Sequence, residues 1–108
     1  MNARIERLKE LLKQSPEDAF VQFALAKEWE KNGELERAIR QMSQLVEKQP
    51  DYVGAYYHLA QMLQTKTDFQ EALNVYDAGI KIAQNLGDQH ALGELQNARM
   101  NLEIEEDL

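Results

Sequence analysis

The chain contains no cysteine, so neither a disulfide nor a thiolate can enter its stability or its chemistry. Its only prolines are Pro16 and Pro50, and its five glycines lie far apart. Without a glycine-rich run there is no loop of the kind that wraps a phosphate. Ser15 and Ser43 are the only serines, and the two histidines, His58 and His90, fall on different predicted helices. No apolar run approaches the roughly 18–20 residues of a membrane span. Positive charge is scarce too: 12 Lys and Arg stand against 19 Asp and Glu, a net charge of −7. Such a chain lacks the cationic surface that phosphate backbones require, so neither nucleic acid nor an anionic membrane is an expected partner. Arg4, Glu6 and Arg7 put charge where a signal peptide needs its apolar run, which makes a cytoplasmic location the expectation.

What the chain does have is a period. Gly33-Glu34-Leu35-Glu36-Arg37-Ala38-Ile39 is echoed by Thr67-Asp68-Phe69-Gln70-Glu71-Ala72-Leu73. The offset is about 34 residues, the length of a unit in several helical repeat architectures. Pro16 and Pro50 share that spacing, and one further period reaches Gln84. A repeat of this length, in a chain of 108 residues with 44% apolar side chains, predicts one domain built from stacked supersecondary units.

Apolar spacing divides the chain into about six helices. Ile5, Leu8, Leu11 and Leu12 share a face over about Ala3 to Gln14. Ser15 is expected to cap the second helix, with Pro16 in its first turn and Asp18 completing a variant capping box, and Gly33 ends it after about Asn32. The third helix covers about Leu35 to Lys48. Asp51 is expected to cap a fourth, about Tyr52 to Thr65, and Thr67 with Gln70 to form a capping box for a fifth, about Phe69 to Asn85. Gly87 stops that helix and Asp88 caps a sixth, about Gln89 to Ile104, with Ala91, Leu95, Ala98 and Leu102 in one stripe. The end of the chain, Glu103 to Leu108, with its acidic tail at 105–108, is expected to fray. Nothing alternates with period two, so no strand is predicted. Loops of a few residues force consecutive helices to pack antiparallel.

These residues resemble the tetratricopeptide repeat family. The first unit carries Gln22, Leu25, Ala26, Trp29, Gly33, Ala38, Met42 and Pro50, and the second Tyr56, Leu59, Ala60, Leu63, Thr67, Ala72, Tyr76 and Gln84. Departures from the family pattern are Gln22 in place of Trp, Thr67 in place of Gly and Gln84 in place of Pro. The resemblance implies an all-α, right-handed solenoid of antiparallel hairpins. A half-repeat helix occupies 1–16, full repeats 19–52 and 53–86, and a capping helix 87–104. Leu92-Gly93 matches the Leu–small pair of a third unit if one residue is missing before it. Ala26, Ala38, Ala60 and Ala72 are expected at helix crossings, with Leu25, Trp29, Leu59 and Leu63 filling the core beside them.

The resemblance further implies that the first helices of successive units line a concave groove for a peptide or a partner helix. At about 100° per residue, Phe20, Phe23, Lys27 and Glu30 fall away from the core side of the second helix, as do Gly54, Tyr57, Gln61 and Gln64 on the fourth, with Lys31 and Thr65 flanking them. Against this stands the plain possibility that Phe20 and Phe23 are half-covered by neighbouring helices and bind nothing. Some family members grip a C-terminal carboxylate with Lys, Asn and Arg on this surface. The matching positions here include Phe23, Lys27 and His58, so no such clamp is expected. The expected function is therefore a protein–protein interaction module. The alternatives are a self-associating homodimer and a regulatory subunit docking on a larger complex. No catalytic residue, cofactor or metal is expected. His90 and Glu94, at i and i+4, are more simply a solvated pair than two metal ligands.

Overall fold

The computed structural model describes residues 2–108, so Met1, at the head of the expected first half-repeat, lies outside the described residues. Six helices follow one another: α1 (Ala3–Gln14), α2 (Ala19–Lys31), α3 (Leu35–Lys48), α4 (Gly54–Thr65), α5 (Phe69–Leu86) and α6 (Gln89–Glu105). Among the described residues there is no strand. Each helix packs on the next, and α4 also touches α6. Extents of 40 × 30 × 19 Å describe a short stack of helical hairpins.

The echo in the sequence is a repeated helix stop. The Glu34 N–H donates to the Trp29 carbonyl at 2.8 Å, and at the equivalent place in the next unit Asp68 donates to Leu63 at the same distance. Asp88 closes α5 in the same way on Ala83 at 3.0 Å. This closure needs a left-handed residue just before the donor. Gly33 (φ 82) and Gly87 (φ 70) supply it without a Cβ penalty. Thr67 takes the position at φ 65, so it is a left-handed turn residue and not the expected cap. Asp68 occupies the N-cap of α5, without a side-chain bond.

Two other helix starts differ from expectation. Asp18, not Ser15, caps α2: its Oδ1 accepts from the Val21 N–H at 3.2 Å, while Ser15 closes α1 on the Leu11 carbonyl. Asp51 does not cap α4. That helix begins at Gly54, because Tyr52 and Val53 are used in the turn, where Tyr52 donates its N–H to Gln49. Leu108 folds back to donate its N–H to Glu103 at 2.9 Å, with Asp107 left-handed at φ 55.

The four crossing alanines, Ala26, Ala38, Ala60 and Ala72, are wholly buried, and Leu25, Leu59 and Leu63 lie beside them. Trp29 is half-buried and packs against the edge of the core. The Arg37 guanidinium at 4.7 Å and Lys9 Nζ at 5.2 Å both lie over its ring, whose π system attracts cations. The substitution of Gln22 for Trp also finds its reason. Gln22 Nε2 donates to the Pro16 carbonyl at 2.7 Å, and in the next unit Tyr56 Oη donates to the Pro50 carbonyl, also at 2.7 Å. Two different side chains therefore anchor the same turn.

Where the third proline would fall stands Gln84, and α5 runs on to Leu86 where α3 stops at Lys48. The register of α6 shifts with it. Leu95 and Leu102 are its buried positions, with Ala91 and Ala98 packed against the core as the stripe predicts. Gly93 has open space around it, so Leu92-Gly93 does not repeat the Leu59-Ala60 crossing. The tight crossing is made instead by Gly79. A Cβ there would lie 2.7 Å from Tyr56 Cβ and 3.2 Å from Leu95 Cδ1.

Candidate functional site

The side chains that α2, α4 and α6 turn away from the core meet in two adjoining depressions. The first lies between α2 and the start of α4. Phe23 sits 5.0 Å from the His58 ring, edge-on, and 5.9 Å from Tyr52. Tyr57 meets the other side of His58 at 5.5 Å, again edge-on. Phe23, Asp51, Tyr52, Val53, Gly54 and His58 enclose a cavity of about 400 Å³. Three aromatic rings contribute to its walls, and Asp51 is the one carboxylate among its lining residues.

His58 links this pocket to its polar surroundings. Lys27 Nζ lies 3.2 Å from His58 Nδ1 and 3.1 Å from Glu30 Oε1. An ammonium has only donors, so Nδ1 must accept and the imidazole is neutral, with its proton on Nε2. Burial is the main reason the His58 pKa falls below its ordinary value, and the positive charge of Lys27 adds to the fall. Glu30 and Glu94 oppose it.

The second depression is a groove of about 390 Å³ between α4 and α6. Tyr57, Gln61 and Gln64 line one side. Glu94, Asn97, Ala98, Asn101 and Glu105 line the other. Beneath it, Gln61 Nε2 donates to Tyr76 Oη at 2.8 Å, and Tyr76 Oη donates in turn to Gln64 Oε1. Burial pushes the Tyr76 phenol up to about 12, so the hydroxyl stays protonated and the chain keeps its direction. These bonds lock the two amides onto α5 and hold them at the groove wall.

The expected site residues thus fall into distinct settings. Phe23, Lys27 and Glu30 on α2 converge with Tyr57 on α4 through His58. Gln61 and Gln64 line the α4–α6 groove. Phe20 is 67% exposed and joins none of the three aromatic contacts, and Lys31 is exposed at the end of α2. Tyr52 and Val53, assigned from sequence to a helix, instead form the pocket wall from the turn. Sequence reasoning missed Glu94, Asn97, Asn101 and Glu105. Their spacing of three, four and four residues, on the flank of the Ala91–Leu95–Ala98–Leu102 stripe, is the signal that marks a polar strip of the helix. Among the described residues no group of three His, Asp or Glu side chains converges as metal ligands, and no helix is long and apolar enough to cross a membrane.

No protein-family model matches this chain. A tetratricopeptide repeat domain protein from Salinibacter ruber is 40% identical to it. That protein's crystal structure aligns with a TM-score of 0.75 over 80% of this chain and 96% of that one. A TPR repeat-containing protein of Pseudomonas aeruginosa is 29% identical over 91 residues, 84% of this chain and 87% of the relative. In fold the chain is also similar to the TPR2B domain of yeast Sti1, solved as a complex with pHsp70. The TM-score is 0.85 and the identity 22%, over 94% of this chain and 81% of that one. With the paired helix stops, the buried alanines and the stacked hairpins already in place, these likenesses identify the chain as a member of the tetratricopeptide repeat family.

Proposed function

We propose that the protein is a protein–protein interaction module that holds a peptide segment or partner helix on its concave face. The observation that carries this reading is the aromatic pocket. Phe23, Tyr52 and His58 line a cavity of about 400 Å³ that is open to solvent and large enough to take an apolar side chain. An apolar anchor seated among aromatic rings, with polar groups around it, is how such surfaces bind extended peptides and helices. The binding residues in this reading are Phe23, Lys27, Glu30, Tyr57, Gln61 and Gln64, with Phe20 and Lys31 at the margin. The Sti1 domain, a relative in fold, was solved with pHsp70 bound, which is consistent with the reading without naming a partner for this chain. Lys27 is engaged by Glu30 and His58, so a free peptide carboxylate has no dedicated cation here.

The test is binding of peptides selected from a random library, measured by calorimetry on the native chain and on Phe23→Ala. Loss of binding in the variant, with helicity retained by circular dichroism, supports the site. Unchanged affinity refutes it.

A second reading, self-association, is favoured by Met100 and Ile104, 51% and 72% exposed on α6, with Leu108 just beyond. Light scattering after size exclusion separates the two: a mass that stays monomeric at all concentrations removes self-association.

A further inference from the structure

We propose that the α4–α6 half of the concave face selects a cationic peptide segment, an extended stretch whose Lys or Arg side chains reach Glu94 and Glu105. The proposal rests on the concave-face reading above and specifies the ligand. The groove is lined by one Tyr, one Ala, four amides and two carboxylates, and no Lys or Arg side chain enters it. Among the described residues neither Glu94 nor Glu105 makes an ion pair. Asp77 and Glu103, by contrast, are both taken by Arg99.

The two carboxylates stand at opposite ends of the groove. Glu94 acts on the His58 imidazole and Glu105 on the Tyr76 phenol. Along α6 they lie about three helical turns, or about 16 Å, apart, which places both on one face. An extended peptide covers that span in about five residues. Between the carboxylates, Gln61 and Gln64 face Asn97 and Asn101 across the groove. Each amide offers both a donor and an acceptor, the pairing a peptide backbone needs. A negatively charged segment would meet two unpaired carboxylates and no cation.

Random decapeptides are displayed on phage and selected on the native chain. The enriched sequences are then synthesised and titrated by fluorescence anisotropy against the native chain, Glu94→Gln with Glu105→Gln, and Phe23→Ala. Both glutamates are exposed and Gln is isosteric, so the double variant keeps its fold, as circular dichroism will verify. The expected result is enrichment of Lys and Arg, and binding about fivefold to tenfold weaker in the double variant, as two solvent-exposed charge pairs warrant. Enrichment without basic residues, or affinity unchanged in the double variant, overturns the cationic ligand. If those peptides still lose binding in Phe23→Ala, the concave-face reading survives that failure. Basic peptides that respond to the glutamates but not to Phe23→Ala support the groove and refute the aromatic anchor. If the native chain enriches no peptide, both fall.

Discussion

Gly79→Ala sets two effects of opposite sign against each other. In a helix interior, replacing Gly by Ala is favourable by about 1 kcal/mol, since Ala restricts the unfolded chain and helps the helix. By propensity alone the variant is more stable. In the structure, the new Cβ would lie 2.7 Å from Tyr56 Cβ, 3.1 Å from Tyr56 Cγ and 3.2 Å from Leu95 Cδ1. Carbon atoms pack at about 3.5–4.0 Å. Tyr56 Cβ is bonded directly to the backbone and cannot rotate away, so α4 must move by close to an ångström. Tyr56 is also tied by its hydroxyl to Pro50, which resists that movement. Overpacking of this kind costs about 1–3 kcal/mol. Set against the gain in propensity, the balance is a net loss of up to about 2 kcal/mol. Urea unfolding followed by circular dichroism reads it directly. With a slope of about 1–3 kcal/mol per molar, the midpoint falls by up to roughly 1 M. Gly93→Ala is the control: it lies in α6 with nothing near its would-be Cβ, and its midpoint should rise. A Gly79→Ala midpoint equal to or above the native value would show that α4 and α5 have slack at this crossing and would refute the reasoning.

Thr67→Gly should stabilise by about 0.5–1 kcal/mol, since relief of about 1–2 kcal/mol of left-handed strain exceeds the added unfolded-state freedom of glycine; a lower melting temperature counts against it. His58 predicts a pH dependence. Its folded pKa lies below the ordinary 6.5, so on acidification the unfolded chain takes the proton first. The stability it contributes is complete above about pH 6.5 and is lost as the pH falls toward the folded value. His58→Gln should flatten the stability profile between about pH 7 and the onset of carboxylate titration at about pH 5; an unchanged slope would assign it elsewhere. Tyr76→Phe removes the hydroxyl that joins Gln61 to Gln64 and should cost about 1 kcal/mol in urea unfolding, while a neutral result would mean that water replaces it without loss.

The fold was legible because its signals are local. The left-handed stops at Gly33 and Gly87, the alanines at four helix crossings and a period one hairpin long all concern residues within one hairpin, and short-range sterics enforce them, whereas the left-handed Thr67 reads in the sequence as a cap. Residues on α2 and α4 were legible as site candidates for the same reason: helical spacing alone turns Phe23 and Tyr57 from the core. The pocket wall was not legible. Tyr52 continues the apolar pattern of α4, and only the turn after Pro50 withholds it from the helix.

By itself, then, the sequence determined six helices, their hairpin order and the family, since caps, stops and period act over a few residues. Tertiary structure decided which faces meet. Gln84 lets α5 run on to Leu86, Gly79 admits Tyr56 and Leu95 at close range, and together they set how α6 lies against α4. That placement creates the groove between Gln61, Gln64, Asn97 and Asn101 and leaves Glu94 and Glu105 facing solvent. A helix's rotation about its own axis depends on volumes supplied by distant segments, and no local pattern encodes it.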